Sequence, residues 1–167
     1  MQRFELGNAK KCAQELLALG QINMKMWYLF SWLVEHGELR HGTQAEVLKL
    51  YVNEQLVAYS LLENYEACDD KVKIFEGEVY RDLGVLHFVT LPEHRNKGYA
   101  SLLAKQIYKE LIVPLLARHQ DVNSYIVATE RAVPLIQRAG IETRYLVTQF
   151  YSDQTFHKKV IQQINPK

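Results

Sequence analysis

One segment of this 167-residue chain sets charge, a glycine and a helix start side by side: Pro92-Glu93-His94-Arg95-Asn96-Lys97-Gly98-Tyr99-Ala100. It follows a nearly continuous apolar run, residues 83–91 (LGVLHFVTL). Beyond it Ala100, Leu103, Ala104, Ile107, Tyr108, Leu111 and Ile112 recur three and four residues apart, the spacing of one helix face. A strand, a tight loop and a helix start therefore meet at Gly98. The first N–H groups of a helix have no partner inside it, and the helix dipole adds positive potential there. Arg95 and Lys97 add full charges. This is chemistry for an anion, best a phosphate or pyrophosphate. It is neither a Walker loop, because no G-K-[ST] stands at the required distance, nor a Rossmann fingerprint, because there is no G-x-G-x-x-G. The competing reading is an ordinary strand-to-helix loop with solvated Arg95 and Lys97.

Periodicity supplies the elements that must position this segment. Residues 1–6 (MQRFEL) predict a short strand. Asn8 can cap a helix that carries Cys12, Ala13, Leu16 and Leu17 and stops at Gly20. A second helix is predicted over residues 23–36, ended by Gly37. Met26, Trp27, Phe30, Leu33 and Val34 share one of its faces, while Tyr28, Leu29 and Trp32 fall on others. Residues 47–52 (VLKLYV) and 56–62 (LVAYSLL) alternate as the two arms of a hairpin. Residues 63–82 are polar without a period and read as a loop or an irregular strand extension. Residues 83–91 suit a central strand covered on both faces. Pro114 should kink or end the helix that follows Gly98. Residues 124–128 (SYIVA) read as a strand. Thr129 then caps a helix to Ala139, with Pro134 disturbing its first turn and Gly140 beyond its end. Residues 144–151 (RYLVTQFY) read as another strand, and the last fifteen residues fit either helix or strand. The order β-α-α-β-β-β-α-β-α-β is a mixed α/β (α+β) arrangement, read as a single domain over residues 1–167.

Composition narrows the function classes. Hydrophobic residues at 48% and charged residues at 23% sit at the globular average, which excludes disorder as the main state. A formal net charge of +1 gives no electrostatic case for nucleic acid, so no such partner is expected. Cys12 and Cys68 stand apart and in no CxxC pattern, which excludes a disulfide scaffold and fits a reducing compartment. His36 and His41 have no third ligand in view, so no metal is expected. No stretch reaches the roughly 18 apolar residues of a membrane helix, and residues 26–34 are interrupted by Ser31. No membrane partner is expected. The N-terminus has no apolar core of a signal peptide, so the expected location is cytoplasmic.

With these elements in place, the chain resembles the GCN5-related N-acetyltransferase (GNAT) family. The family's [RQ]-x-x-G-x-[GA] motif is matched by Arg95-Asn96-Lys97-Gly98-Tyr99-Ala100, preceded by the frequent Pro-x-x-Arg as Pro92 to Arg95. Downstream, where the family often shows Asn, Ala, Tyr and Gly, Ala132 and Gly140 match in spacing. Thr129 replaces the Asn, and Ile136 stands where the Tyr usually sits. The resemblance implies a GNAT-like acyltransferase fold, a central mixed, mostly antiparallel sheet flanked by helices. It implies acetyl-CoA, or another acyl-CoA, as cofactor. Arg95 and the amides of Asn96, Lys97, Gly98, Tyr99 and Ala100 would hold the pyrophosphate, with Ser101 adding its hydroxyl. Phe88, Val89 and Thr90 would pair with the pantetheine amides at a gap where two strands splay apart. Thr129 joins this cofactor-binding set.

The implied reaction is acetyl transfer from acetyl-CoA to an amine, on a small molecule or a protein, by direct attack in a ternary complex. It needs a proton removed, an oxyanion stabilised and a thiolate released. Family bases align with Gly84 and Leu86, neither of which can act. Asp82 is the nearest carboxylate and has their side-chain parity on an unbroken strand. His87 has the opposite parity unless a β-bulge re-aims it. An imidazole, with an ordinary pKa of roughly 6.5, suits base chemistry, but His87 reads equally well as a core histidine bonded to backbone. With the Tyr replaced by Ile136, Tyr125 is the candidate acid, with Tyr145 and Tyr151 as further substitutes, and each reads also as a packing aromatic. The expected catalytic set is Asp82, His87 and Tyr125. The alternative function is a degenerate family member that binds acyl-CoA as a sensor or partner module. One helix stripe cannot bury all of Trp27, Tyr28, Phe30 and Trp32, so the second aromatic face is expected to line an acceptor pocket or a homodimer interface.

Overall fold

The computed structural model describes residues 1–120, 123–129, 131–140 and 146–148. Strand β1 (Gln2–Asn8) leads into helix α1 (Ala9–Leu17), which Asn8 caps by accepting the Lys10 N–H at 2.8 Å. Helix α2 (Met24–His36) is capped likewise, Asn23 accepting the Met26 N–H at 3.1 Å, and it ends at Gly37 in the left-handed conformation. Strands β2 (Gln44–Val52) and β3 (Gln55–Asn64) form the expected hairpin, turned by Asn53 and Glu54, both at positive φ.

Residues 63–82, read as a loop or an irregular strand extension, hold both: β3 runs to Asn64, turns occupy 65–71, and the rest is strand around a tight turn. Strand β4 (Val72–Phe75) and the start of β5 (Glu78–Thr90) make a second hairpin across Glu76 and Gly77. β5 thus begins well before the apolar run. Among the described residues β4 pairs only with β5, and Lys73, Ile74, Glu78 and Val79 stay exposed. An edge hairpin solvated in this way needs no apolar alternation, so no period marks it.

Helix α3 (Tyr99–Ile107) passes through a π-helical turn, Tyr108–Ile112, into α4 (Val113–Ala117). Pro114 therefore does not end the helix. The wider turn before it absorbs the missing N–H. Strand β6 (Asn123–Ala128), helix α5 (Ala132–Arg138) and strand β7 (Leu146–Thr148) follow. Thr129 does not cap α5 with its side chain. Its carbonyl takes the Ala132 N–H at 3.0 Å instead. Most of the strand expected over 144–151, with Tyr145 and Tyr151, and the last fifteen residues lie outside the described residues.

The sheet runs β1-β2-β3-β5-β6-β7, with β4 beside the start of β5. Pairs β1–β2, β2–β3, β3–β5 and β4–β5 are antiparallel, and β5–β6 and β6–β7 are parallel. The fold is therefore mixed α/β, with a mostly antiparallel open sheet flanked by helices. One face packs against α3, α4 and α5 through Leu48, Leu62, Leu86, Leu103, Leu115 and Ile136. The other packs against α1 and α2 through Val47, Tyr59, Leu61, Val89, Leu16 and Phe30. Removing these two apolar layers from water holds the helices to the sheet. Among the described residues no helix is long and apolar enough to cross a membrane.

Candidate active site

The site begins where β5 loses a neighbour. β3 pairs with β5 from Gly84 to Thr90, whereas β6 ends at Ala128, opposite Leu86. From His87 onward, among the described residues, β5 has a partner strand on one side only. The Leu91 N–H donates to the Val57 carbonyl at 3.0 Å, so His87, Val89 and Leu91 direct their backbone groups to β3. Phe88 and Thr90, out of phase with them, turn N–H and C=O to the open side. The Thr90 carbonyl accepts from Arg95 Nε at 3.2 Å.

A β-bulge lies just before the fork. Asp82 pairs with Tyr125 but Gly84 pairs with Ile126, so Leu83 is an extra residue on β5. Gly84 has φ 152°, and a Cβ added there would lie 2.0 Å from the Glu63 carbonyl oxygen. Only glycine fits. Asp82 closes the bulge by accepting the Gly84 N–H at 3.0 Å. The expected parity of Asp82 is corrected by this bulge. Gly84, Leu86 and Ile126 face the layer under α3, while Asp82 and Tyr125 share the α2 face with His87. Unbroken alternation fails at Leu83.

A cleft of about 1290 Å³ runs through the fork. It is lined by His87 and Val89 from one face of β5 and by Phe88 and Thr90 from the other, so it reaches past the strand edge. From there it extends along His94, Arg95, Asn96 and Gly98 to Tyr99, Ala100 and Ser101 of α3. Thr129, Arg131 and Arg138 flank it on the α5 side, and Asn23 and Lys25 on the α2 side. The walls thus carry Lys25, Arg95, Arg131 and Arg138, and no carboxylate among the described residues. Asn96 and Gly98 both have positive φ, 63° and 81°, a curl that aims neighbouring amides at one point. Gly98 is the N-cap of α3, with no side chain closing the helix start, and a Cβ there would meet nothing within 4 Å. His94 Nε2 is buried in this wall with no partner among the described residues. An anionic ligand matches these donors.

The expected cofactor residues Phe88, Val89, Thr90, Arg95, Asn96, Gly98, Tyr99, Ala100, Ser101 and Thr129 all line the cleft. Lys97 is exposed and does not. Of the expected catalytic residues, His87 lines it, whereas Asp82 and Tyr125 do not. The aromatic face of α2 does not reach it either. Trp32 meets His36 at a tilt of 58°, with ring centres 3.8 Å apart, beneath the Arg40 guanidinium at 4.1 Å. Tyr28 is 62% exposed and meets Trp27 edge-on.

Several residues in this region are absent from the expected site set: Lys25, His94, Arg131 and Arg138 in the cleft wall, and Glu63 behind His87. Glu63 Oε1 lies 3.2 Å from His87 Nε2, and its Oε2 accepts the Tyr65 hydroxyl at 2.9 Å. The alternation of residues 56–62, carried one step further, puts Glu63 in phase with Tyr59 and Leu61, and that was the available signal. Burial opposes ionisation of Glu63, but the hydrogen bond and charge of His87, the Tyr65 hydroxyl and Lys25 outweigh it and hold the carboxyl below its usual range. Burial pushes the Asp82 carboxyl up to about 7, against the pull of the Gly84 N–H and Lys71. Burial, with Asp82 nearby, also pushes the Tyr125 phenol up.

No protein-family model matches the chain, and no curated protein matches it. Among solved structures it is similar to a predicted acetyltransferase with acetyl-CoA from Clostridium acetobutylicum, at 13% identity over 85% of this chain and 90% of that one, with TM-score 0.44. It is similar to a ribosomal-protein-alanine N-acetyltransferase from Brucella melitensis, at 17% identity over 92% and 96%, with TM-score 0.42. A GNAT-family acetyltransferase from Streptococcus pneumoniae stands at 16% identity over 83% and 84%, with TM-score 0.42.

Proposed function

We propose that the protein is an acyl-CoA-dependent N-acyltransferase, a single catalytic domain over residues 1–167 that moves an acetyl group from acetyl-CoA to an amine on a small molecule or a protein. The observation that carries this reading is the continuity of the cleft. An open strand edge at Phe88 and Thr90 leads directly to a glycine-turned helix start walled by cations. A ligand with an amide-bearing arm and a pyrophosphate head matches both ends. The edge of β5 pairs with the amides as an added strand would. The amides of Asn96 to Ala100, with Arg95, hold the pyrophosphate.

Bound in this way, acetyl-CoA supplies an acetyl thioester to the attacking amine. His87, at the fork, takes the proton released from the amine as the C–N bond forms and the C–S bond breaks. Burial of the imidazole beside Glu63 excludes water from that proton transfer. A second reading, binding of acyl-CoA without turnover, is favoured by one observation. Ile136 is buried in the core where a phenol would serve as acid, and Tyr125 lies off the cleft.

Titration calorimetry and a thiol-release assay test both readings. The wild-type protein should bind CoA, and Gly98→Glu should lose binding through bulk and repulsion while staying folded. Unchanged affinity in folded Gly98→Glu protein would remove the cleft from consideration. Binding of acetyl-CoA without thiol release across a panel of amines would leave the second reading.

A further inference from the structure

Resting on that reading, we propose that Glu63 is a positioning residue for His87, fixing the imidazole so that Nδ1 receives the amine's proton. His87 pairs with Leu61 and Glu63 with Val85, so the two side chains are diagonal neighbours on one face of the β3–β5 ladder. The contact is 3.2 Å, and the side chains are only 5% and 16% exposed. The Tyr65 hydroxyl holds the other carboxylate oxygen at 2.9 Å, so Glu63 is fixed at both ends. A carboxylate only accepts, and a neutral imidazole has one donor and one acceptor nitrogen. Nε2 therefore carries the hydrogen toward Glu63, and Nδ1 is left as the acceptor. His87 lines the cleft and Glu63 does not, so the carboxylate backs the ring without touching substrate.

The step balances within this arrangement. The amine nitrogen forms a bond to the acetyl carbon, and the C–S bonding pair leaves with sulfur. The amine's proton moves to Nδ1 and from there to the thiolate. While the ring is cationic, Glu63 already stands opposite its Nε2–H, so the charge meets a counter-charge that need not reorganise. The other titratable groups around His87 are Tyr59 on β3, Tyr65 just beyond its end, Asp82 on β5, Tyr125 on β6 and Lys25 on α2. Asp82 titrates near neutrality, so the pH comparison is repeated in an Asp82→Asn background.

The test compares wild type, Glu63→Gln, His87→Gln and the double variant, with CoA affinity measured for each. Glu63→Gln should lower kcat by about 10²-fold, within the range of general base catalysis. Acceptor KM and CoA affinity should hold, and the acid limb of the kcat profile should move to lower pH. Glu63→Asp should recover part of the rate. Because the two residues act as a unit, the double variant should be no slower than His87→Gln. In ligand-free protein, the downfield Nε2 proton resonance of His87 should move upfield in Glu63→Gln. If Glu63→Gln fails to fold, Tyr65→Phe should give the same changes in smaller measure. Wild-type rate, pH profile and resonance in a folded, CoA-binding Glu63→Gln protein would overturn the inference alone. A wild-type protein that binds acetyl-CoA and acylates nothing would overturn the acyltransferase reading and this inference with it.

Discussion

Asp82 carries a charge that the fold disfavours, and its removal should show this as a pH-dependent gain in stability. In the unfolded chain its carboxyl titrates near the ordinary 3.8, and burial beside Tyr125 and behind the bulge raises that to about 7. Between these values the native state binds more protons than the unfolded state. Stability therefore falls as pH rises through this window and is level above it. A gap of about three units corresponds to on the order of 4 kcal/mol, at roughly 1.36 kcal/mol per unit. An Asn keeps an oxygen for the Gly84 N–H and cannot ionise. Asp82→Asn should therefore be more stable than wild type by roughly 3–4 kcal/mol at pH 8, with almost no difference at pH 4. For a chain of this length that is a rise in melting temperature of about 6–16 °C. Urea unfolding from pH 4 to pH 9, with equal m values, measures it. A variant less stable than wild type at pH 8, or a difference that does not change with pH, would refute the reasoning.

Two further outcomes follow from packing. Gly84→Ala forces a Cβ against the Glu63 backbone at a positive φ, so it should cost about 3 kcal/mol or more in urea unfolding. A neutral result would mean that the bulge is not there. Arg40→Ala removes the guanidinium over Trp32 and should cost about 0.5–1 kcal/mol with CoA affinity unchanged. Weakened CoA binding in that variant would connect the Trp32 face to the cleft.

The sequence made some helix ends and the turn into α3 plain because single residues specify them. Asn8 caps α1, Gly37 ends α2, and Gly98 turns the chain into α3. Such local rules do not reach cross-strand relations. Glu63 meets His87 because its strand pairs with β5, and nothing near position 63 names that partner. The bulge had a signal that went unused. Gly84 is an isolated glycine in an otherwise apolar strand, which marks a bulge or a close backbone approach. Taking the strand as unbroken put Asp82 on the wrong face. β4 was read as loop or irregular strand extension because a solvated edge hairpin leaves no apolar period, and Pro114, expected to kink or end the helix, does not end it because the π-turn before it accommodates it.

The partial pairing of β5 also sets an order of assembly. The β2–β3 and β4–β5 hairpins close over a few residues, and antiparallel neighbours of this kind form early. β6 can join β5 only after the whole α3–α4 crossover is in place, a longer loop to close and a parallel pairing. A chain emerging from its N-terminus can thus fold its antiparallel half while β5 still shows an unpaired edge from Tyr80 to Thr90. Such an edge is a template for a strand from another chain. β6 later covers it as far as Leu86 and leaves the remainder open. An acyl-CoA bound in the fork as proposed would complete this covering, so protein deprived of it should be more prone to aggregate.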